Sequence, residues 1–184
     1  YAESLNNFNQ ENFLQLGKAV WDVVPNPYSL GKILAILNYK GAGNEIPGAL
    51  LLRRSFHCSD GLLKFKFSRK GDTVFAVLRY WDSKNYLSVQ IDGDKVKIVH
   101  IDDGSSKFSA EGKYKFSSLL WYRVAIIFFD KNIEVYIGEG NNEEFKLVLA
   151  GVLETVKAGY GGVGASGKVF FQEIRFESFH KGKK

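Results

Sequence analysis

The sequence has few of the residues that cross-link or interrupt a chain. It contains one cysteine, Cys58, three prolines and no methionine. A single cysteine excludes an internal disulfide and with it a disulfide-held scaffold. No stretch approaches the roughly 18 apolar residues of a membrane-spanning helix. Because the chain starts at Tyr1 and has no methionine, we expect it to be a piece of a longer protein.

Dense runs of basic residues are also missing, apart from the tail 181–184. The net charge of +5 favours encounters with anionic partners, although its main expected effect is solubility. Binding of single-stranded nucleic acid needs aromatic residues interleaved with a continuous basic groove, whereas the lysines here are spread along the chain. Membrane insertion needs an amphipathic helix, and no such pattern is present. We therefore expect no nucleic acid and no direct membrane insertion.

Apolar and aromatic residues, in contrast, are plentiful. Hydrophobic residues make up 45% of the 184 residues and aromatic residues 15%, which is enough for a sizeable core. This length suits one domain over residues 1–184. Aromatic and β-branched residues favour strands, and the 19 dispersed glycines are typical of short strands joined by tight turns.

Alternating patterns predict about a dozen strands and no long helix. In the clearest segment, Leu63, Phe65 and Phe67 alternate with polar residues, as in a strand with one buried face. Residues 1–17 are expected to form an irregular lead-in with one helical turn, and residues 179–184 a basic tail. The other predicted strands are 19–24, 33–37, 49–54, 73–81, 85–91, 95–101, 121–129, 133–137, 145–149 and 168–176. This pattern favours a β-sandwich or barrel.

Three segments carry a family resemblance. They are the hairpin 76–89, the Trp-led strand 121–126 with its partner 133–137, and the glycine segment 161–164 with the last strand 169–176. In this order they resemble the concanavalin A-like lectin/glucanase superfamily, in particular its laminin G-like branch. The resemblance implies an all-β fold, an antiparallel β-sandwich (jelly roll) whose last strand pairs beside the first, here 21–24. It implies little about function, because lectins, glycosidases and structural domains share this fold.

The residues do not support catalysis. Glycosidases of the resembled superfamily carry a Glu-x-Asp-x-x-Glu strand, and this sequence has no Glu-x-Asp. Glu173 and Glu177 would lie about 13 Å apart on one strand, whereas glycoside hydrolysis needs carboxyl groups about 5–9.5 Å apart. His57 and Cys58 are neighbours on a strand and point to opposite faces, so they do not pair as base and nucleophile. We expect the protein not to be an enzyme.

Aspartates cluster in two successive predicted turns, at Asp92, Asp94, Asp102 and Asp103. Carboxylates and loop carbonyls are calcium ligands, and the resembled superfamily often uses calcium. Asp-Gly is also the commonest pair of a tight hairpin turn, where the carboxylate bonds to nearby backbone. We favour the turn interpretation and expect no cofactor, with calcium as the alternative.

One combination of side chains is typical of sugar binding. A sugar ring stacks on a flat aromatic side chain, and planar polar groups pair with its hydroxyls. Alternation along the strands places such residues on common sides. If these strands lie side by side in one sheet, they form one mixed face, made of Lys64, Lys66, Arg79, Trp81, Tyr86, Ser88, Gln90, Glu134 and Tyr136. The alternative is that these are ordinary core and cross-strand residues.

We therefore expect a non-catalytic recognition or adhesion module that binds a glycan or a protein partner. The resemblance implies a larger secreted or cell-surface protein. Two alternatives stay open. One is a glycoside-acting enzyme whose carboxylate pair comes from different strands. The other is a structural assembly domain, for which an exposed apolar patch would be evidence. The sequence does not define the ligand or the oligomeric state.

Overall fold

The computed structural model describes residues 9–17, 19–26, 32–39, 48–118, 120–141 and 144–179. In these ranges the chain forms 14 strands and one short 3-10 helix, Gln10–Asn12. The strands pair into two sheets of seven strands each, and all pairings are antiparallel. The predicted all-β antiparallel sandwich is confirmed. Within this part of the chain, no helix has the length and apolar character needed to cross a membrane.

The strands are numbered in chain order. They are β1 (Phe13–Leu16), β2 (Ala19–Pro25), β3 (Lys32–Tyr39), β4 (Ala49–Cys58), β5 (Gly61–Arg69), β6 (Val74–Asp82), β7 (Asn85–Asp92), β8 (Lys95–Asp102), β9 (Ser105–Lys113), β10 (Tyr122–Phe129), β11 (Asn132–Glu139), β12 (Lys146–Val152), β13 (Gly159–Ala165) and β14 (Val169–Ser178).

The first sheet has the order β1-β4-β13-β6-β7-β8-β9, and the second has the order β12-β11-β10-β5-β14-β3-β2. Their inner faces form one apolar core. On β5 it includes Leu63, Phe65 and Phe67, and on β6 it includes Ala76 and Leu78. The alternation that predicted β5 therefore has its expected cause, because every second side chain of a strand faces the opposite sheet.

The outer face of the first sheet is also apolar. A second buried cluster consists of Leu50, Leu52, Phe75, Val77 and Tyr80. These residues alternate along β4 and β6 with residues of the main core, so they lie on the other side of the same sheet. Each is at most 9% exposed. The middle of this sheet therefore offers no open surface for a ligand.

The glycine segment near the end of the chain forms a strand that was not among the predicted ones. As β13 it lies between β4 and β6 in the middle of the first sheet. A Cβ added at Gly162 would lie 2.2 Å from the carbonyl oxygen of Leu51. Glycine is required there because the neighbouring backbone leaves no room for a side chain.

Other expectations also differ from the structure. The last strand, β14, pairs with β3, and β3 separates it from β2, so the expected pairing with 21–24 is wrong. Strand β9 lies at a sheet edge and is largely exposed and polar, so it carried no apolar signal. The described end of the lead-in is more regular than expected, with a 3-10 helix followed by β1. Most of the basic tail, residues 180–184, lies outside the described residues.

Candidate functional site

A pocket of about 560 Å³ opens at one end of the sandwich. It lies between the end of β4, the β6–β7 turn and the segment that links β12 to β13. We call it the end pocket; its lining residues are His57, Trp81, Asp82, Asn85, Lys157 and Ala158. Ligand sites in proteins have volumes of roughly 300–1,000 Å³. The end pocket is therefore large enough for a small organic molecule or a short oligosaccharide segment.

Trp81 gives the end pocket an exposed aromatic wall. Its side chain is 65% exposed, which is unusual for a tryptophan because burying this large apolar surface is favourable. The imidazole of His57 meets the Trp81 ring edge-on at 6.3 Å and the Tyr160 ring at 5.0 Å. The three rings form one aromatic wall that extends from β6 across β13 to β4.

Polar groups of the β6–β7 turn lie beside this wall. The carboxylate of Asp82 accepts hydrogen bonds from the Lys84 amide at 2.8 Å and from Asn85 Nδ2 at 2.9 Å. Asn85 Oδ1 in turn accepts from the Asp103 amide at 3.1 Å. The bonds from Asn85 and the Lys84 amide lower the pKa of Asp82, so it is ionised at neutral pH. The turn therefore presents a fixed carboxylate and a fixed amide.

An ion pair closes the opposite side of the pocket. Lys157 Nζ lies 2.6 Å from Asp102 Oδ1, and Thr155 Oγ1 donates to Asp102 Oδ2 at 3.4 Å. The bond from Lys157 lowers the pKa of Asp102, and the same bond raises the pKa of Lys157. Both groups are therefore charged at neutral pH, and they hold the linker against the end of β8.

Beneath this rim, Arg79 connects both sheets. Its backbone has φ 51°, and the β6–β7 register is interrupted between Leu78 and Asp82. Arg79 Nε donates to the Ser59 carbonyl at 2.7 Å, and Nη2 donates to the Asp130 carbonyl at 2.6 Å. Burial lowers the pKa of the guanidinium.

Further contacts hold Arg79 in place. The guanidinium carbon lies 5.5 Å from the centre of the Phe128 ring, and Asp60 Oδ1 lies 3.8 Å from Nη2. A Cβ added at Gly159 would lie 2.4 Å from the carbonyl carbon of Arg79, so glycine lets β13 pass close to this bulge. Arg79 is therefore a buried structural connector as well as a neighbour of the pocket.

The structure separates the nine ligand-binding candidates into two groups. Strands β6 and β7 belong to the first sheet, whereas β5 and β11 belong to the second. The side chains on β5 and β11 therefore lie on the opposite outer face of the sandwich from Trp81, and the single mixed face is not formed. The four residues of this second group are Lys64, Lys66, Glu134 and Tyr136.

None of these four residues lines the end pocket. Lys66 Nζ pairs with Glu173 Oε1 at 2.5 Å, and Tyr136 donates to Glu134 Oε2 at 2.7 Å. Lys64 is half-buried at the middle of β5. Their assignment to a ligand stays a prediction, and it would need a second site.

The candidates of the first sheet differ in accessibility. Trp81 lines the end pocket, and Arg79 and Tyr86 line a crevice that adjoins it. Burial raises the pKa of the Tyr86 hydroxyl. Ser88 is buried and accepts from Gln90 Nε2 at 3.2 Å, away from the pocket. Alternation placed Tyr86, Ser88 and Gln90 on the outer side of β7, where Tyr86 and Gln90 are half-buried and Ser88 is buried.

The aspartates proposed as a calcium alternative lie at opposite ends of one strand. Asp92 and Asp94 flank the β7–β8 turn, and Asp102 and Asp103 flank the β8–β9 turn. Eight residues of β8 separate the turns, a distance of about 25 Å at 3.3 Å per residue. The four carboxylates therefore do not form a common site. Among the described residues, no group of three or more His, Cys, Asp or Glu side chains has a metal-binding arrangement.

Cys58 and His57 also point apart. The Cys58 side chain packs against the main core, whereas His57 faces Tyr160 and Trp81. Burial raises the pKa of the Cys58 thiol to about 11. The thiol is therefore protonated at neutral pH and is a poor nucleophile.

Several pocket residues had no sequence signal. His57 lies near the end of β4 without a motif around it, and Lys157 lies in a linker without periodicity. Asn85 begins β7, in the hairpin that carried the family resemblance. This hairpin was the one sequence feature that pointed to Asn85. The pocket is assembled from three chain segments that lie far apart in the sequence, namely residues 57, 81–85 and 157–158, so pairing of the strands had to bring them together.

The two antiparallel sheets of seven strands and their strand order define a jelly-roll β-sandwich, a fold of the concanavalin A-like type. No protein-family model matches the sequence, and no curated protein sequence matches it.

Solved structures with this fold are similar. The carbohydrate-binding module CBM66 from Bacillus subtilis has a TM-score of 0.67 and 18% identity over 91% of this chain and 96% of that chain. The exoplasmic/lumenal domain of VIP36, in its Ca2+/Man3GlcNAc-bound form, has a TM-score of 0.67 and 7% identity over 98% and 89%. The GH43 protein BlXynB from Bacillus licheniformis has a TM-score of 0.57 and 14% identity, and the match covers 94% of this chain but 40% of that chain. At these identities the likeness concerns the fold alone.

Proposed function

We propose that the protein is a non-catalytic carbohydrate-binding module that holds a glycan in the end pocket, with a sugar ring stacked on Trp81. The observation that carries the proposal is the exposure of this tryptophan, 65%, in a pocket that also presents a carboxylate, an amide and an ammonium group. Sugars have an apolar ring face and many hydroxyls. They are therefore bound by a flat aromatic surface beside fixed hydrogen-bonding groups.

The fold neighbours support this proposal. They include a carbohydrate-binding module and a domain solved with an oligosaccharide. Fold alone does not establish function, so the argument depends on the end pocket. A ligand has no access to the buried apolar cluster on the outer face of the first sheet. We therefore place the glycan in the end pocket.

The carboxylates at the pocket favour binding over hydrolysis. Glycosidases need one carboxyl group that is protonated at the working pH and a second that is ionised. The pKa values of Asp82 and Asp102 are both lowered by hydrogen bonds. Neither group therefore serves as a general acid near neutral pH. A second candidate function is a glycoside-acting enzyme, since the structure of a native glycosidic hydrolase is similar, with a TM-score of 0.60 and 15% identity over 93% of that chain.

Glycan-array binding tests the proposal with the wild type, Trp81→Ala and Phe129→Ala. Phe129 is a matched control because it is also an exposed aromatic residue, at 48%, but does not line the end pocket. We expect the wild type to bind a related set of glycans. Trp81→Ala should weaken binding by about tenfold or more, as for an aromatic anchor, and Phe129→Ala should not. Equal binding by all three proteins would contradict the assignment of the pocket.

Two additions separate the alternatives. A second array in the presence of a chelator tests for calcium, and we expect the same glycans to bind. Incubation of the protein with the bound glycans tests for turnover. Release of shorter products by the wild type but not by Asp82→Asn or Asp102→Asn would identify an enzyme. A blank array in both conditions would favour a protein partner or an assembly role.

The same proposal includes two finer assignments, a location that follows from a glycan ligand and a branch that rests on the sequence resemblance. We propose that the module acts outside the cell or at its surface, where extended glycans are found, and that it belongs to the laminin G-like branch of its superfamily. Recognition or adhesion through a protein partner is the alternative role of the same pocket. Detection of the protein in the cytosol alone would contradict the proposed location.

A further inference from the structure

The end pocket continues into a narrow crevice behind Trp81. The crevice has a volume of about 20 Å³, and it shares Trp81, Asn85 and Lys157 with the end pocket. Arg79 and His100 also line it. A cavity of about 10–15 Å³ holds one water-sized group. The crevice is therefore too small for a sugar ring and large enough for one hydroxyl group.

Two buried nitrogen atoms belong to the side chains that line this crevice. Arg79 is 6% exposed and His100 is 9% exposed. Arg79 Nη1 and His100 Nδ1 have no hydrogen-bond partner among the residues that the structure describes. Buried polar atoms are nearly always paired, because an unpaired one has lost water without a replacement. Two such atoms on neighbouring side chains at one crevice therefore point to a bound group.

The backbone of Arg79 supports the same conclusion. A φ of 51° places this residue in the left-handed region, which favours glycine. Such conformations persist where the surroundings hold them, and they are concentrated at functional sites. Here the Ser59 and Asp130 carbonyls occupy Nε and Nη2, so Nη1 is the part of the guanidinium that is left for another partner.

We propose that the crevice is a subsite for one hydroxyl group of the bound glycan. The hydroxyl oxygen accepts a hydrogen bond from Arg79 Nη1, and the hydroxyl proton is donated to His100 Nδ1. This assignment rests on the proposed function and adds the group that determines specificity. A hydroxyl is suited to the two atoms because it accepts and donates at once, whereas arginine only donates and a neutral imidazole nitrogen accepts.

The charges around the crevice favour a neutral group over an anion. Asp60 lies 3.8 Å from Arg79 Nη2, and Asp102 pairs with Lys157 at 2.6 Å, so both cations already have carboxylate partners. Burial lowers the pKa of His100, which keeps the imidazole neutral. A ligand carboxylate would meet Asp102 without a free cation, and it would exceed the space available.

A subsite of this kind discriminates strongly between sugars. An analogue that lacks the hydroxyl leaves both nitrogen atoms unpaired in the bound state, which costs more than the loss of one exposed hydrogen bond. We expect such an analogue to bind about tenfold to a hundredfold more weakly. The other hydroxyls of the sugar face the open pocket and should each matter less.

Isothermal titration calorimetry with defined probes tests the subsite. The probes are the methyl glycosides of glucose, galactose, mannose, xylose and fructose, and then each monodeoxy derivative of the glycoside that binds. The proteins are the wild type, His100→Leu, which removes the polar group, and His100→Asn, which retains one near the Nδ1 position. Circular dichroism shows whether each variant folds.

We expect one monodeoxy derivative to bind the wild type about tenfold to a hundredfold more weakly than the parent glycoside does. In His100→Leu the difference between the parent and this derivative should become clearly smaller, because only the bond from Arg79 Nη1 remains, and His100→Asn should restore most of it. If a variant does not fold, nitrogen-15 NMR of the wild-type imidazole replaces it. The Nδ1 signal should then shift with the parent glycoside and not with the derivative.

The opposite results are distinguishable. If Trp81→Ala abolishes binding but no single hydroxyl is discriminated through His100, the subsite is wrong and the pocket assignment stands. If no glycoside binds and the Nδ1 signal does not move, both proposals fail. Tighter binding of methyl glucuronide than of every neutral glycoside would overturn the assignment to a hydroxyl.

Discussion

Each end of the sandwich contains a buried arginine, and the two arginines differ in how many of their nitrogen atoms have hydrogen-bond partners. At the end opposite the pocket, Arg69 donates to the carbonyls of Asp72, Ile91 and Gly93 at 2.7, 3.1 and 2.6 Å. At the pocket end, Arg79 donates to two carbonyls and has one nitrogen left. Burial lowers the pKa of both guanidinium groups.

Aromatic residues complete the contrast. At the end opposite the pocket, which we call the sealed end, Phe116 covers Arg69 at 5.2 Å and packs against Tyr114 and Tyr122, each at 4.9 Å. At the pocket end, Trp81 remains exposed beside the crevice. Both arginines connect loops at their end of the sandwich, and the proposed site lies at the end where an exposed tryptophan adjoins the arginine with fewer partners among the described residues.

The largest expected effect is on stability. Arg79→Met should lower the free energy of unfolding by about 3–5 kcal/mol, because the Asp60 carboxylate is buried and loses its cation. Arg69→Met should cost about 1–3 kcal/mol through lost hydrogen bonds to carbonyls. Urea denaturation measures both, with Arg175→Met on the exposed face as the control. Addition of Asp60→Asn should recover part of the loss in Arg79→Met. A larger loss in Arg69→Met would reverse the comparison.

The aromatic residues should separate stability from binding. Phe116→Ala should cost about 2–4 kcal/mol, because it removes a ring that packs against Phe67, Tyr114 and Tyr122. Trp81→Ala should change the free energy of unfolding by less than about 0.5 kcal/mol, since its side chain is mostly exposed. Thermal and urea unfolding measure both variants. Similar losses in the two variants would show that Trp81 is part of the structural core.

The pH dependence of stability should differ between the wild type and His100→Asn. A His100 pKa lowered by burial means that the native state resists protonation. The wild type therefore loses stability as the pH falls below about 6.5, the ordinary histidine value, and through the lower native pKa. Arg79 and Lys157 also disfavour the charged imidazole, and Asp102 and Glu154 favour it. Parallel melting curves of the two proteins between pH 7.5 and pH 5 would contradict this.

The smallest effect is expected for the ion pair at the rim. Lys157 and Asp102 pair in contact with solvent, and such pairs add little to stability because water and salt screen them. Lys157→Ala and Asp102→Asn should therefore leave the melting temperature almost unchanged and weaken glycan binding only a few-fold. Calorimetry of unfolding and of binding measures both. A clear drop in melting temperature would mean that the linker depends on this pair.

Much of the fold could be predicted from the sequence, because half-buried strands carry a period of two. Leu63, Phe65 and Phe67 showed it clearly and lie in the core. The signal failed where its cause was absent. In β13 glycine replaces apolar side chains, because the backbones of β4 and β6 approach closely. In β9 the edge position removes the need for burial.

The site could be predicted only in part. Trp81 could be singled out because an aromatic residue at a strand end is a local feature, and it lines the end pocket, but its role in ligand binding stays a prediction. Alternation predicted that Arg79 shares the face of Trp81, but the bulge at φ 51° turns the Arg79 side chain toward the loops at the end of the sandwich. Lys66 and Tyr136 were grouped with them on the assumption of a common sheet, which the strand order does not provide.

By itself, the sequence determined the strands, their buried faces and the class of sandwich, because these depend on side-chain period and turn residues that neighbours in the chain specify. Tertiary structure decided which strands share a sheet, which end stays open, and which atoms of Arg79 and His100 lack partners. These depend on contacts between residues far apart in the chain, such as Ser59, Arg79 and Asp130. Local sequence patterns do not specify such contacts, so the end pocket could be identified only from the paired sheets.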